Sequence, residues 1–190
     1  MSTGSAPDLT PALSQRERER DGEFATLWRA LDQLTDPEIP VVTLREMGIL
    51  RDLRRGADGR VEVVITPTYS GCPAMDQIAD DVAATLRAEG VEGRVVTQLA
   101  PAWTTDWMTP EAREKLRAYG IAPPRCGDAS AGESVIRFAA GSRPGAEHAV
   151  ACPQCGSTNT TETSHFGSTA CKALYRCLDC MEPFDYFKHI

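Results

Sequence analysis

The residues in this sequence best placed to do chemistry are cysteines, set out as Cys152-Pro153-Gln154-Cys155-Gly156 and Cys177-Leu178-Asp179-Cys180. A CxxC turn brings two sulfurs toward one ion, and two such turns at the ends of short strands close a tetrahedron. The gap between the pairs is slightly longer than the usual zinc spacing, a difference that ribbon loops accommodate. Gly156 suits the first turn because it is free to take positive φ, turning backbone amides toward the thiolates. Met181 stands where the second turn would want the same glycine. With all ligands of one type and no open position, the expected metal is structural Zn²⁺; iron or a disulfide pair are the alternatives. Such a site holds a fold and announces no reaction.

Cys72 is a different kind of candidate. It sits in Thr66-Pro67-Thr68-Tyr69-Ser70-Gly71-Cys72-Pro73-Ala74-Met75-Asp76, which leads into Met75, Ile78, Ala79, Val82, Ala83 and Leu86 at helical spacing. Pro73 fits a first helical turn, where its missing N–H costs nothing, so Cys72 falls at or just before a helix N-terminus. Unpaired amides and the helix dipole favour a thiolate there, making Cys72 a nucleophile or metal ligand; the plainer reading is a small residue packed in a turn. Cys171 lies outside both CxxC turns. It is read first as a buried small residue, with an exchange ligand or second transfer thiol as alternatives. Cys126 is read as incidental, and His148, His165 and His189 have no sequence partner that nominates a base.

The elements that must position these thiols follow from periodicity. Residues 1–19 read as a disordered tail. A helix is plausible from about Arg16, with Phe24, Leu27, Trp28, Leu31 and Leu34 on one face, ending at Thr35-Asp36-Pro37. Gly48–Leu53 and Val61–Thr66 predict a hairpin about Gly56-Ala57-Asp58-Gly59, and Gly90 closes the helix after Cys72. A strand over Arg94–Leu99 precedes a loop with Trp103 and Trp107; Thr109-Pro110-Glu111 then opens a helix that runs to Gly120. The order predicts a small two-layer α/β domain over residues 20–122, a linker at 123–150 with one strand at Ser134–Phe138, and a zinc β-ribbon at 151–190.

Composition bounds the partners. The 190 residues carry 20 Lys+Arg against 27 Asp+Glu, a net charge of −7 with pI near 5.0, which disfavours nucleic acid. No long apolar run suggests a membrane span, and the polar N-terminus does not resemble a signal core, so a cytoplasmic location is expected. Seven cysteines, an odd number with four of them in two CxxC pairs, suit metal ligation in a reducing compartment better than a disulfide framework.

Asp36-Pro37-Glu38-Ile39-Pro40, Gly48-Ile49, Thr66-Pro67-Thr68 with Gly71-Cys72-Pro73, and Pro101-Ala102-Trp103-Thr104 with Trp107-Met108 together resemble the SufT-like iron–sulfur assembly proteins. Followed by Phe166–Cys177 and Glu182–Lys188, the whole chain resembles the PaaD family, the PaaJ-type accessory proteins of phenylacetyl-CoA oxygenase (epoxidase) in phenylacetate degradation. The resemblance implies a maturation role: delivery of a transient iron–sulfur cluster to epoxidase components, especially the iron–sulfur reductase. It makes Cys72 the reactive cysteine and places Asp36 and Glu38 in an acidic loop motif; without it they read as a helix-end turn and a solvated charge. Homo-oligomerisation stays open.

A catalytic oxygenase role is not expected. A di-iron site needs two Glu-x-x-His repeats, and Glu162-Thr163-Ser164-His165 is the single match. There is no P-loop, and no triad can be argued around Cys72. The rival reading is a non-catalytic docking subunit using Trp103, Trp107 and the ribbon, though both tryptophans suit a core equally well.

Overall fold

The computed structural model describes residues 22, 24–69, 71–124 and 150–189. The proposed tail, the onset of the first helix near Arg16, the strand at Ser134–Phe138, Cys126 and His148 lie outside the described residues.

Helix α1 (Ala25–Leu31) buries Leu27 and Leu31 and ends before the predicted stop, at Asp32. The chain then makes a closed loop whose base is an isolated antiparallel bridge between Thr35 and Thr43. Strands β1 (Leu50–Arg55) and β2 (Val61–Ile65) form the expected hairpin, Arg54 facing Glu62. Every residue of β2 is buried, which is why its alternation is weak in the sequence. Helix α2 (Met75–Ala88) turns Ile78, Val82 and Leu86 inward and crosses over to β3 (Gly93–Thr97), parallel to β2. Gly90 takes φ +66° just past α2, as its position predicts.

Glu62, on the central strand, is nearly buried, but Arg54 Nε on one side (2.8 Å) and Arg94 Nη2 on the other (2.5 Å) hold its carboxylate. Together they draw it below the ordinary glutamate range, the Arg54 hydrogen bond first. After a 3₁₀ turn at Thr105–Trp107, Thr109 caps α3 (Pro110–Tyr119) by accepting from the Ala112 amide, and Gly120 ends it at φ +95°.

The second sheet runs in the order β4 (Ile121–Ala122), β7 (Pro183–Phe187), β6 (Lys172–Cys177), β5 (Thr160–Ser164). β4, directly after α3, pairs parallel with β7, Ile121 facing Asp185 and Ala122 facing Tyr186. The ribbon's Cys171 and Phe187 also enter the main core beside Trp103, Met47 and Ile39. The ribbon is thus stitched to the α/β layer by backbone hydrogen bonds and by shared burial.

Candidate functional site

The two CxxC turns meet at the end of the second sheet. Cys152 Sγ lies 3.7 Å from Cys180 Sγ, Cys155 Sγ lies 3.6 Å from Cys177 Sγ, and all four sulfurs fall within 4.8 Å of one another. A tetrahedral ion with metal–sulfur bonds of about 2.3 Å sets sulfurs about 3.8 Å apart, so the donor set fits such an ion. The turns are near copies. Gly156 takes φ +76° and Met181 takes φ +67°, so the methionine adopts the conformation that its position demands even without a glycine. In each turn the amide two residues beyond the second cysteine reaches its sulfur: Ser157 to Cys155 and Glu182 to Cys180. The Cys177 thiol is drawn down to about 7, chiefly by the Cys180 amide.

A clasp joins the turns that the spacing did not reveal. Asp179 accepts from Asn159 Nδ2 at 2.6 Å and from the Ser157 hydroxyl, tying the second turn to the residues after the first. These hydrogen bonds, that of Ser157 foremost, hold the Asp179 carboxyl below its ordinary range. In the sequence Asp179 is one more acidic residue of the ribbon; a Ser-x-Asn just after the first turn is the signal that could have found the clasp.

Cys72 packs against the main core, whereas Cys152 and Cys177 belong to a second, smaller buried cluster. α2 begins at Met75 with Ala74 as its N-cap, so Pro73 stands before the helix and not in its first turn. The Cys72 amide donates to the Tyr69 carbonyl and the Cys72 carbonyl accepts from Met75, which folds the segment into a tight lead-in turn. The side chain is half-buried. Burial pushes the thiol above its ordinary value; the Ala74 amide opposes this, while Cys171, Asp36 and Glu38 add to it. The activation expected from a helix terminus is therefore corrected: one amide does face the sulfur, but desolvation and like-charged neighbours win.

The predicted acidic residues do converge on Cys72. Asp36 Oδ1 accepts from the amides of Glu38 (2.8 Å) and Ile39 (3.0 Å), and Ile39 and Val42 anchor the loop in the core. Asp36 is buried while Glu38 is exposed. With Thr68, Tyr69, Met47 and Phe187, these residues line a cavity of about 20 Å³ onto which both Cys72 and Cys171 open. Cys171 is buried at 8% exposure, in line with the first of its three readings, with Thr169 Oγ1 3.0 Å from its sulfur. Its place on the cavity of Cys72 was not legible.

Trp103 belongs to the core. Its Nε1 donates to the Met47 carbonyl at 3.0 Å, and its ring meets that of Phe187 at 6.0 Å. Trp107 is half-buried beneath the Arg51 guanidinium, 3.6 Å from its centroid. Gly48, at φ +70°, lets that loop approach, since a Cβ there would lie 2.7 Å from Trp107 Cβ. His165 is exposed and meets Glu162 Oε1 at 3.2 Å, far from a di-iron arrangement.

Fold and site together define an iron–sulfur assembly α/β layer joined to a four-cysteine ribbon. Residues 25–98 match the iron–sulfur cluster assembly protein family and residues 139–188 match the PaaD zinc beta ribbon domain. A protein of Escherichia coli (strain K12), provisionally named as a subunit of 1,2-phenylacetyl-CoA epoxidase, is 48% identical over 170 residues, covering 86% of this chain and 92% of its own length. The chain belongs to the PaaD family. A Porphyromonas gingivalis (strain W83) protein named as an Fe–S protein maturation auxiliary factor is 38% identical over 90 residues, 46% of this chain and 85% of that one. A crystal structure of a DUF59 domain from Bacillus anthracis aligns with 52% of this chain and 95% of its own at TM-score 0.46 and 24% identity.

Proposed function

We propose that this protein is a non-catalytic maturation factor of a phenylacetyl-CoA epoxidase, carrying an iron–sulfur cluster on Cys72 for delivery to the enzyme's reductase component. The observation that carries the reading is the convergence of Cys72, Asp36 and Glu38 on one cavity, within a segment that matches the iron–sulfur cluster assembly family. A carrier needs a thiol that binds its cargo without keeping it. A half-buried cysteine whose proton is held tightly suits release as well as capture, because competing protonation weakens a metal–thiolate bond.

In this reading the ribbon over residues 151–190 holds structural Zn²⁺ on Cys152, Cys155, Cys177 and Cys180, favoured over iron by the closed, single-type donor set. The zinc staples the ribbon to the α/β domain of residues 20–122 and supplies no step. The protein works in the cytoplasm, consistent with its metal-directed cysteines; among the described residues no helix is long and apolar enough to cross a membrane.

The test is epoxidase purified from cells carrying either the natural protein or Cys72→Ser. The reductase component from the variant strain should be poor in iron and sulfide, whereas mature epoxidase should turn over equally well with or without this protein added. Normal cluster content in the variant strain removes the role given to Cys72. A requirement for the protein in every turnover favours the second reading, a docking subunit, which the exposed Leu178 and Met181 at the tip of the second metal turn support.

A further inference from the structure

The match to the iron–sulfur assembly family ends at residue 98, yet the cavity beside Cys72 is closed by Thr169, Cys171 and Phe187 of the ribbon. At about 20 Å³ it admits one water-sized body, whereas a cluster carries at least two irons with their bridging sulfides. A cluster on Cys72 can occupy this space only after one wall has moved. Phe187, on β7, is 1% exposed and packs on Trp103, so that wall is fixed. The loop between β5 and β6, residues 165–171, is built differently. Its backbone hydrogen bonds close within itself and on β6 and β7: Gly167 donates to Lys172, Lys172 to Thr169, and Lys188 to Cys171. The Lys188 ammonium holds its start, 3.2 Å from the His165 carbonyl and 4.6 Å from the centre of the Phe166 ring. His165, Phe166, Ser168 and Ala170 are exposed, and Cys171 is the loop's buried side chain. The tie across to the α/β domain runs from the Ala170 amide to the hydroxyl oxygen of Tyr69, whose own carbonyl closes the turn at Cys72. A short, exposed loop with few ties to its neighbour opens at low cost.

We propose that residues 165–171 form a lid over Cys72, latched shut by Tyr69, and that cargo is loaded and released with this lid lifted. The inference rests on the reading of Cys72 as the cargo-bearing thiol. Lifting the loop uncovers one small side chain, Cys171, while the contact between Trp103 and Phe187 stays in the core. Tyr69 itself lines the cavity, so a body too large for that space displaces the lid and its latch together. Tyr69 is a positioning residue: it holds the backbone of the lid and forms no bond to the cargo.

The experiment uses the full, metal-loaded chain. Alkylation of Cys72 is timed at one pH, and hydrogen exchange of residues 165–171 is followed before and after anaerobic reconstitution with ferrous iron and sulfide. Tyr69→Phe keeps the ring and removes the latch. Cys72 labelling and exchange at Ala170 should each quicken about fivefold, the shift that one neutral hydrogen bond makes in an opening equilibrium. Ala170→Pro removes the donor of the same bond, so the double variant should label no faster than the quicker single one. One metal ion per chain and unchanged exchange across α2 show that each variant has folded. A bound cluster should leave the loop less protected than it is in the cargo-free chain. Equal labelling of Cys72 in the natural protein and in Tyr69→Phe, or a bound cluster that leaves the loop's exchange as it was, overturns the lid and leaves the Cys72 reading standing. A chain on which no cluster forms, natural or Tyr69→Phe, overturns the Cys72 reading and with it the loop's role as a gate for cargo.

Discussion

The two cysteine sites of this molecule are built in opposite ways. At the four-cysteine centre, each pair is presented by one tight turn, and the conformation of each turn follows from residues within a few positions of the sulfurs. At the Cys72 cavity, the walls come from the 35–43 loop, the lead-in to α2, the ribbon loop and β7, and no local rule joins them. The first site is a local device that stabilises; the second exists only when the whole core has closed. A metal-stapled element is therefore well suited to serve as one wall of a site on another element, because its own shape does not depend on that site.

Removing the metal is the largest perturbation. Structural zinc contributes on the order of 10 kcal/mol to local folding, so chelation or Cys155→Ser should abolish hydrogen-exchange protection across β5, β6 and β7. Since β7 also pairs with β4 and carries Phe187, the loss should spread: Cys72 should alkylate much faster in the metal-free protein. Unchanged Cys72 labelling after complete chelation would separate the two sites and break the comparison.

Phe187→Ala comes next. The ring is 1% exposed, packs on Trp103 and lines the Cys72 cavity, so its truncation should cost about 3–5 kcal/mol and lower the melting temperature on the order of 10 °C. Metal content should stay at one ion per chain. A variant that loses its metal as well would show that the ribbon depends on the core as much as the core on the ribbon.

The pH dependence of the Cys72 thiol is a smaller effect with a definite sign. Burial first, then Cys171, Asp36 and Glu38, raise its pKa against the opposing Ala74 amide, with Tyr69 also lining the cavity, so alkylation should reach half its limiting rate above the ordinary thiol value of about 8.5. Because the folded state holds this proton more tightly than the unfolded one, stability should fall as pH rises from about 8.5 through the folded value. Cys72→Ala should flatten that limb. A midpoint below the ordinary value would restore the helix-terminus activation.

Asp179→Asn should have the smallest consequence. It weakens the clasp to Ser157 and Asn159 without touching a sulfur, and should speed metal loss to a chelator by at most about tenfold. The Cys72 cavity should not respond, and altered Cys72 labelling in this variant would mean that the turns and the cavity are coupled more tightly than their separation implies.

The four-cysteine cluster, the hairpin, the Thr109 cap and Gly90 were all legible because each depends on a short run of residues: CxxC spacing, a turn between apolar stretches, a hydroxyl before a proline-led helix. Trp103 and Trp107 were ambiguous in the sequence, since an aromatic loop reads alike in a core or at an interface. Asp36 was named through a family likeness, and its hydrogen bonds to the Glu38 and Ile39 amides now supply the physical reason. Burial opposes the expected activation of Cys72, and a helix dipole can be inferred from order along the chain whereas desolvation cannot.

Local chemistry written in the chain thus decided where a metal binds and which segments become helix or strand, since backbone conformation and ligand spacing act over a few residues. Only the folded core decided that Cys171 lines the same cavity as Cys72, that Phe187 closes it and that β4 crosses to the ribbon sheet. Those contacts join residues distant in sequence, and burial, which sets the proton affinity of the thiols, is a property of the whole packed interior and of no segment within it.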